Sequence, residues 1–173
     1  MLPALRLLIF GAGDDAKPLS QLANQMGWRV TMLDECQAKT LPVRFPEAEE
    51  VLKMKREHAL EGLSFNARTA AVLLSHNYGL DKAVLQALLP RALPYIGMLG
   101  PKKRFDRMNE ELDRELASHP EIHAPIGLDI GAQTPFEIAI AIISEIQARF
   151  SNRKGGSLRE RKGTIHGRKP KEQ

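Results

Sequence analysis

The chain has 173 residues, 43% of them hydrophobic and 27% charged, values that are ordinary for a globular protein with a packed core. Its single cysteine excludes an internal disulfide framework and is typical of a reducing compartment. Arg6 interrupts the apolar run near the N-terminus, which argues against a signal peptide. No segment approaches the roughly 20 apolar residues of a membrane span. We therefore predict a cytoplasmic protein that does not bind membranes.

The net charge of +4 is unevenly distributed along the chain. Residues 151–173 contain eight Lys/Arg and two Asp/Glu, whereas the first 150 residues contain 17 and 19. The basic segment lacks aromatic residues on which bases could stack, so nucleic acid is not an expected partner. We predict one folded domain over residues 1–150 and a basic, Gly/Arg/Lys-rich, partly flexible segment over residues 151–173.

The first predicted element is a buried strand over residues 7–10 that leads directly into a glycine-rich turn. Gly11, Gly13 and Ala16 match the G-x-G-x-x-G/A pattern. Small residues at these positions allow a tight turn and let the backbone, here including Ala12, approach a phosphate. The pattern predicts the nucleotide site of a Rossmann-type domain, and the alternative is a purely structural strand-to-helix turn.

Two acidic residues and a proline modify this interpretation. Asp14 and Asp15 lie where an anion would approach, and they would repel it unless their carboxylates point away. Pro18 favours the first turn of a helix, which predicts that the helix begins at Lys17 after a long loop.

The second predicted strand covers residues 28–33 and ends at Asp34. In dinucleotide-binding domains a carboxylate at this position binds the ribose hydroxyls and disfavours a 2′-phosphate. Asp34 therefore indicates NAD rather than NADP if either binds. The alternative is a solvated carboxylate at the end of a strand.

Strands and helices alternate along the rest of the chain, with further strands predicted over residues 50–54, 69–74 and 95–99. Helices are predicted from about Asp81 and after Gly100. The second of these carries an apolar stripe formed by Phe105, Met108, Leu112 and Leu116. The alternation predicts an α/β fold: a single domain with a Rossmann-like, doubly wound parallel sheet and helices on both faces.

The last predicted helix has the clearest start signal. Thr134 is suited to cap the helix, Pro135 to occupy its first position and Glu137 to complete a capping box. Residues 138–146 are apolar almost all round, which predicts a helix deep in the core.

Polar residues follow the strand predicted over residues 69–74, at the edge where α/β sheets bind ligands. His76 can act as an acid, a base or a hydrogen-bond donor near neutral pH, and Asn77 is expected beside it in the same crevice. The alternative is that the His76 nitrogens bind loop backbone.

Two later loops add candidate residues. Gly100 precedes three cations at a helix start, Lys102, Lys103 and Arg104. Free N–H groups and cations there favour an anion site, although a solvated basic turn is the common alternative. Asp129 lies between two glycines, which predicts a tight loop that positions the Asp129 carboxylate near the crevice. The alternative is that the glycines serve only the geometry of the turn.

No pattern of metal ligands or of nucleophilic catalysis is evident. His119 and His123 are four residues apart, but Pro120 between them argues against a shared helical face. Cys36 has no neighbouring His or Cys. We predict no metal site and no catalytic residue, which favours binding over catalysis.

Taken together, these loops resemble the xanthine dehydrogenase accessory proteins of the XdhC type, through their Rossmann domain. The most specific stretch covers residues 123–132 with Thr134 and Pro135. The other matching stretches are residues 9–13, 15–16, 18–19, 27–31, 34, 44–46, 75–77, 81, 95–97, 100, 155–163 and 165–166. The resemblance spans nearly the whole chain and is more specific than the glycine turn alone.

The resemblance implies an accessory protein that binds the molybdenum cofactor, a phosphate-bearing pterin dithiolene (molybdopterin) or its dinucleotide form. It also implies help in delivering that cofactor, in sulfurated form, to a molybdenum hydroxylase such as xanthine dehydrogenase. The cofactor's phosphate is expected at the helix starts and its polar pterin edge at the later loops. The predicted contacts are Gly11, Ala12, Gly13, Asp15, Asp34, His76, Asn77, Gly100, Lys102, Lys103, Arg104 and Asp129.

Two departures from the family pattern qualify these expectations. Members usually carry an additional N-terminal domain with a cysteine linked to cofactor handling, and this sequence starts almost at the first Rossmann strand. A separate chain of that type is therefore an expected partner, and a homodimer is a further expectation. Asp14 stands where the family loop is expected to have His or Pro.

Two other functions stay open at this point. The first is an NAD-dependent oxidoreductase that uses Gly11, Gly13 and Asp34, with His76 as its one candidate proton donor. The second is a non-catalytic interaction domain whose basic segment docks a partner.

Overall fold

The computed structural model describes residues 3–112 and 115–165. Within them the strands are β1 (Arg6–Phe10), β2 (Arg29–Asp34), β3 (Glu50–Lys53), β4 (Thr69–Leu73), β5 (Tyr95–Met98) and β6 (Ile122–His123). They form one sheet in the order β3-β2-β1-β4-β5-β6, and every pair of neighbours is parallel. The strand order reverses between β1 and β4, the place where open α/β sheets bind ligands.

Helices cover both faces of this sheet. The α-helices of the described residues are α1 (Lys17–Gln25), α2 (Tyr78–Leu88), α3 (Lys102–Glu111) and α4 (Pro135–Phe150). Buried residues of α1 and α4 belong to the core on one face, and those of α2 and α3 belong to the core on the other. The predicted α/β fold, a doubly wound Rossmann-like sheet, is therefore confirmed.

The central strand β1 shows why an apolar run folds as a buried parallel strand. Leu7 and Ile9 point into the core under α1 and α4, whereas Leu8 and Phe10 point into the opposite core, and all four are fully buried. Because successive side chains of a strand alternate between faces, a strand covered on both sides is apolar throughout.

Two helix starts test the sequence predictions directly. Helix α1 begins at Lys17 after a 3-10 turn over Asp14–Ala16, as Pro18 predicts. Helix α2 begins at Tyr78, three residues before the predicted start at Asp81. The earlier start follows from Asn77, whose side chain accepts the Leu80 N–H and caps the helix.

The predicted apolar stripe of α3 is wrong at its far end. The helix ends at Glu111, with Leu112 as its C-terminal cap, and Leu116 lies in a separate 3-10 turn over Leu116–Ser118. Leu116 is nevertheless fully buried in the core that contains Met108. Helical spacing thus predicted the shared core but not the break in the helix. Strand β6 was not predicted, since two residues are too few to give a pattern.

Helix α4 is less deeply buried than its apolar sequence predicts. Its buried residues form one face, namely Ala139, Ala141, Ile142, Ile143 and Ile146. Phe136 and Ile140 lie on the outside and are 49% and 42% exposed. The helix covers the sheet beside α1 and has solvent on its other side, so an apolar outer face remains uncovered in this chain.

The segment after α4 lies outside the two cores. Residues 151–165 run along the surface and contain a 3-10 turn over Leu158–Glu160. No described residue after Ile146 belongs to the fully buried core, although Phe150 packs against it. The remainder of the predicted basic segment, residues 166–173, lies outside the described residues.

Candidate functional site

The glycine turn is held by the carboxylate at the end of β2. The Ala12 N–H donates to Asp34 Oδ2 at 2.8 Å, and the Cys36 N–H donates to Asp34 Oδ1 at 2.9 Å. Asp34 is only 4% exposed. Both oxygens that the sequence pattern assigns to a ribose thus bind backbone groups, and a ligand hydroxyl would have to compete with them.

Gly11 brings the turn against the neighbouring strand. Its φ is +120°, and a Cβ built on it would lie 2.7 Å from the backbone of Leu74 and Ser75. A side chain at this position would therefore collide with backbone that cannot rotate away. Gly13 is less constrained, because a Cβ there would meet only the side-chain Oδ1 of Asp15, at 2.6 Å.

The acidic residues of the turn are both paired. Asp14 binds Lys17 at 2.9 Å and Arg44 at 2.8 Å, and these hydrogen bonds, with the positive charges behind them, lower its pKa. Asp15 lies within hydrogen-bonding distance of His76 Nε2. Lys17 and Arg44 thereby offset the repulsion expected between Asp14 and an incoming anion. Arg44, which lies 30 residues further along the chain, gave no signal in the sequence for this role.

His76 presents its imidazole at the carboxyl edge of the sheet. The residue has a φ of +59°, which is uncommon outside glycine, and its side chain is 63% exposed. Nε2 faces Asp15, so the two side chains form a carboxylate–imidazole pair that bridges the loops after β1 and β4. Two of the candidate site residues, Asp15 and His76, therefore lie together in the structure.

A buried network supports this loop from below. Asp81 is 1% exposed and accepts the hydroxyl of Ser75 and a guanidinium N–H of Arg104 at 2.7 Å. Burial raises the pKa of Asp81, although Ser75 and Arg104 oppose that effect. Arg104 is thus engaged by a buried carboxylate, and Asn77 is engaged as the cap of α2. Asp81 was predicted only as a helix residue.

A crevice opens between these loops and α4. Its narrow part has a volume of about 150 Å³ and contains Asp15 and His76 at its mouth. Its wider part has a volume of about 420 Å³ and contains Asp129 on the loop before α4. Leu99 and Ile138 line both parts, so the two are adjacent. The remaining walls of the narrow part are mostly apolar: Leu19, Leu74, Pro135, Ala139 and Ile142.

The wide part depends on a loop that α4 holds in place. The Gly127 N–H donates to Glu145 Oε1 at 3.0 Å, and the Tyr95 hydroxyl donates to the same oxygen at 2.6 Å. His123 stacks on the Tyr95 ring and approaches Glu145 at 3.4 Å. Burial disfavours ionisation of Glu145, but these three donors outweigh it and lower its pKa. Nothing in the local sequence of Glu145 indicated this role.

The cations at the start of α3 divide into two groups. Arg104 contacts Asp81, whereas Lys102 and Lys103 are exposed and form no ion pair within residues 3–112 and 115–165. Gly100, with a φ of +128°, turns the chain from β5 into this helix. The helix start has no side-chain cap, and both lysines are exposed, but neither is among the residues that line the crevice.

The described residues contain neither a metal cluster nor a membrane-spanning helix. No group of three or more His, Cys, Asp or Glu side chains there could hold a metal ion. No helix among these residues is long and apolar enough to cross a bilayer.

The strand order, the tight glycine turn and the crevice at the point of reversal are those of a Rossmann-type domain. Residues 7–146 match the model of the XdhC Rossmann domain. Since this match covers most of the sequence, the chain belongs to the XdhC Rossmann-domain family, and the resemblance noted from the loops is confirmed.

Three relatives illustrate this membership. The chain is 36% identical over 146 residues to a probable xanthine dehydrogenase subunit of Bacillus subtilis, covering 83% of this chain and 42% of that protein. It is 27% identical over 157 residues to the uncharacterized protein YqeB of Escherichia coli, covering 88% of this chain and 29% of that protein. A crystal structure of a xanthine dehydrogenase from Bacillus halodurans superposes with a TM-score of 0.79 at 31% identity, covering 88% of this chain and 44% of that one. The chain thus spans less than half the length of each relative.

Proposed function

We propose that this chain is an accessory domain in the maturation of a xanthine dehydrogenase-type molybdenum hydroxylase and that its crevice binds the molybdenum cofactor. The observation that carries the proposal is the crevice itself, which lies at the reversal of strand order and has an apolar wall and a polar mouth. Family membership and the xanthine dehydrogenase names of two relatives support the choice of enzyme.

The residues of the crevice fit a ligand that combines a planar ring with a phosphate. Leu99 and Ile138 offer apolar surface on which a ring can pack, and Asp129 and His76 offer polar groups at the two ends. The volume of the wide part, about 420 Å³, lies within the range of about 300–1,000 Å³ that is usual for small-molecule sites. This combination of apolar surface and polar groups supports a pterin better than a purely apolar ligand.

The charges around the two helix starts favour an anionic group near α3 rather than at the glycine turn. Asp14 and Asp15 keep acceptor oxygens at the turn, even though Lys17 and Arg44 offset the charge of Asp14. Lys102 and Lys103, by contrast, have no acidic partner among the described residues and stand at a helix start that no side chain caps. These two lysines would hold the phosphate.

Asp34 favours the molybdenum cofactor over NAD as the ligand. An adenine dinucleotide in a Rossmann domain uses this carboxylate for its ribose. Here both oxygens accept backbone N–H groups and the side chain is nearly inaccessible, so a ribose would gain little from it. NAD is therefore the ligand to set in competition with the molybdenum cofactor.

Under this proposal the chain binds and orients the cofactor and catalyses no reaction of its own. When bound, the molybdenum cofactor supplies the metal–dithiolene chemistry that the recipient hydroxylase needs. The apolar wall excludes water from one face of the crevice, and the Asp15–His76 pair offers polar groups at its mouth. We further propose a molybdenum hydroxylase such as xanthine dehydrogenase, and a separate chain that carries the family's N-terminal-type domain, as partners.

The test is equilibrium dialysis of the chain against isolated molybdenum cofactor without oxygen, with bound molybdenum as the readout. We expect saturable binding that excess NADH does not displace. Each lysine is expected to contribute an ion-assisted contact to the phosphate, so the double variant Lys102→Ala/Lys103→Ala should bind about tenfold more weakly or worse. The matched control is Lys53→Ala/Lys55→Ala, which removes the same charge at the outermost strand β3.

Three results would count against the proposal. The first is the absence of saturable binding, the second is displacement by NADH, which would favour an oxidoreductase, and the third is equal weakening in both lysine pairs. If no cofactor binds but the chain still captures the recipient hydroxylase, it is an interaction domain instead.

A further inference from the structure

Two arginines of the segment after α4 converge on a single neutral acceptor. Arg161 Nη1 donates to the carbonyl oxygen of Ile165 at 2.9 Å, and Arg153 Nη2 lies 3.4 Å from the same oxygen. The two guanidinium groups therefore meet at one point although they carry like charge. A peptide carbonyl has no net charge, so it offsets neither of them.

No acid among the described residues pairs with either of these charges. Neither Arg153 nor Arg161 forms an ion pair with any carboxylate in the part of the chain that the structure describes. Elsewhere in these residues arginines commonly face carboxylates, as Arg56 faces Glu35 at 2.8 Å. Two converging guanidinium groups without a counter-charge are the arrangement that recognises a phosphate, because each offers several N–H donors in a fixed plane.

The arginines also share a cavity. A space of about 460 Å³ lies along this segment, and Arg153, Lys154 and Arg161 are among the residues that line it. Gly155 and Gly156 form part of its wall with bare backbone. Glu160 lines the same cavity and is the one acidic side chain among its lining residues. Three cations against one carboxylate leave the cavity positively charged.

The cavity is placed beside the crevice by one close contact. Gly155 has a φ of +76°, and a Cβ built on it would lie 3.0 Å from Leu128, which lines the wide part of the crevice. The segment therefore packs against the loop that precedes α4 and is not detached from the domain. A phosphate in the cavity would be next to the crevice but separate from Lys102 and Lys103.

We infer that the segment over residues 152–165 is an oxyanion site in which Arg153 and Arg161 bind a phosphate group. A phosphate oxygen takes the place of the Ile165 carbonyl between the two guanidinium groups. The phosphate is either free inorganic phosphate or diphosphate, or the phosphate end of a larger ester. The inference stands whether or not the crevice binds the molybdenum cofactor, since it depends on the arginines alone.

Isothermal titration calorimetry of the full chain with pyrophosphate, at low ionic strength in a buffer without phosphate, tests this inference. We expect saturable binding by the unaltered chain and binding about tenfold weaker in Arg153→Gln and in Arg161→Gln. Glu160→Gln should bind about two- to threefold more tightly, because it removes the opposing charge. The matched control is Arg159→Gln, which removes one charge from the same segment but from a side chain that does not line the cavity.

Adenosine monophosphate distinguishes the two sources of phosphate. If it binds with the same dependence on Arg153 and Arg161, the site accepts phosphate esters, and if only pyrophosphate binds, the ligand is a free inorganic anion. The inference is overturned if the unaltered chain does not bind pyrophosphate. It is equally overturned if Arg159→Gln weakens binding as much as Arg161→Gln does, or if only an acidic peptide binds. Circular dichroism of each variant verifies that the fold is unchanged.

Discussion

At the scale of single residues, Gly11 has the strictest steric requirement in the glycine turn. Replacement by alanine places a Cβ 2.7 Å from backbone atoms of Leu74 and Ser75 and retains an unfavourable positive φ. The strained backbone and the overpacking together should lower the free energy of unfolding by about 3 kcal/mol or more. Urea denaturation of Gly11→Ala at pH 7 measures this loss.

Gly62→Ala is the matched control for this variant. Gly62 also has a positive φ, of +75°, but a Cβ there meets nothing within 4 Å. The substitution should lower the free energy of unfolding by about 1 kcal/mol, because only the backbone conformation opposes it. Equal losses in the two variants would show that the close approach to β4 contributes nothing.

Several residues of the site were recognised from the sequence, but their partners were not. The G-x-G pattern and the spacing to Asp34 located the turn and its carboxylate, because both follow from local chemistry. That Asp34 binds the Ala12 N–H could not be predicted, since it depends on how two loops meet in space. The same holds for Arg44, which offsets Asp14 from 30 residues away.

At the scale of secondary-structure elements, Glu145 ties α4 to two strands and to the loop of the crevice. It accepts from Tyr95 on β5, approaches His123 on β6 and accepts the Gly127 N–H. One carboxylate thus fixes the position of the loop that carries Asp129. The pKa of Glu145 is lowered in the folded chain, which means that its ionised carboxylate stabilises the fold through these contacts.

We expect Glu145→Gln to lower the free energy of unfolding at pH 7 by about 1–2 kcal/mol, because a neutral amide oxygen is a weaker acceptor than a carboxylate. The pKa of Glu145 is lowered in the folded chain, so its contribution is fully present above the ordinary value of 4.5. It is lost as the pH falls through the lower, folded value. Urea denaturation at pH 7 and pH 3 should therefore show a difference between variant and unaltered chain that shrinks in acid.

Glu110→Gln is the control for this experiment. Glu110 is exposed on α3, so its replacement should change stability little at either pH. If Glu145→Gln is destabilised equally at both pH values, the ionised carboxylate is not the source of the stabilisation.

Helices with strong local signals were predictable, and short or interrupted elements were not. The capping box of Thr134 and Glu137 located the start of α4, and Pro18 located that of α1. The helical spacing of apolar residues continues past the end of α3 to Leu116. It does so because Leu116, in the 3-10 turn that follows, is buried in the same core as the helix. Apolar composition overstated the burial of α4, since composition does not reveal which side another element covers.

At the scale of the whole molecule, the sheet and its four described helices contain both cores, and the segment after α4 adds little to them. The buried hydrophobic residues of the described chain end at Ile146, and Phe150 packs against them. The contact of Gly155 with Leu128 joins the segment to the domain at the surface. The stability of the fold is thus expected to come from the residues up to Phe150.

We expect deletion of residues 154–173 to shift the melting temperature by no more than about 3 °C, since about 1 kcal/mol corresponds to roughly 2–4 °C at this size. The deletion leaves Phe150 and the hydrogen bond from the Arg153 N–H to the Ala148 carbonyl in place. It should abolish pyrophosphate binding, because it removes Arg161 together with Lys154 and the glycine wall of the cavity. Differential scanning calorimetry and calorimetric titration with pyrophosphate measure the two effects separately.

A deletion that begins at residue 147 provides the contrast. It removes the last turn of α4, including Phe150, which packs on the core under Arg68, and Arg149, which donates to the Pro94 carbonyl at 3.2 Å. Losing this apolar contact and this hydrogen bond should lower the melting temperature by about 5 °C or more. If the two deletions lower it equally, the segment after α4 stabilises the fold and its arginines are structural. If the shorter deletion alone leaves the fold intact but removes pyrophosphate binding, the segment is an appended anion site on a self-sufficient domain.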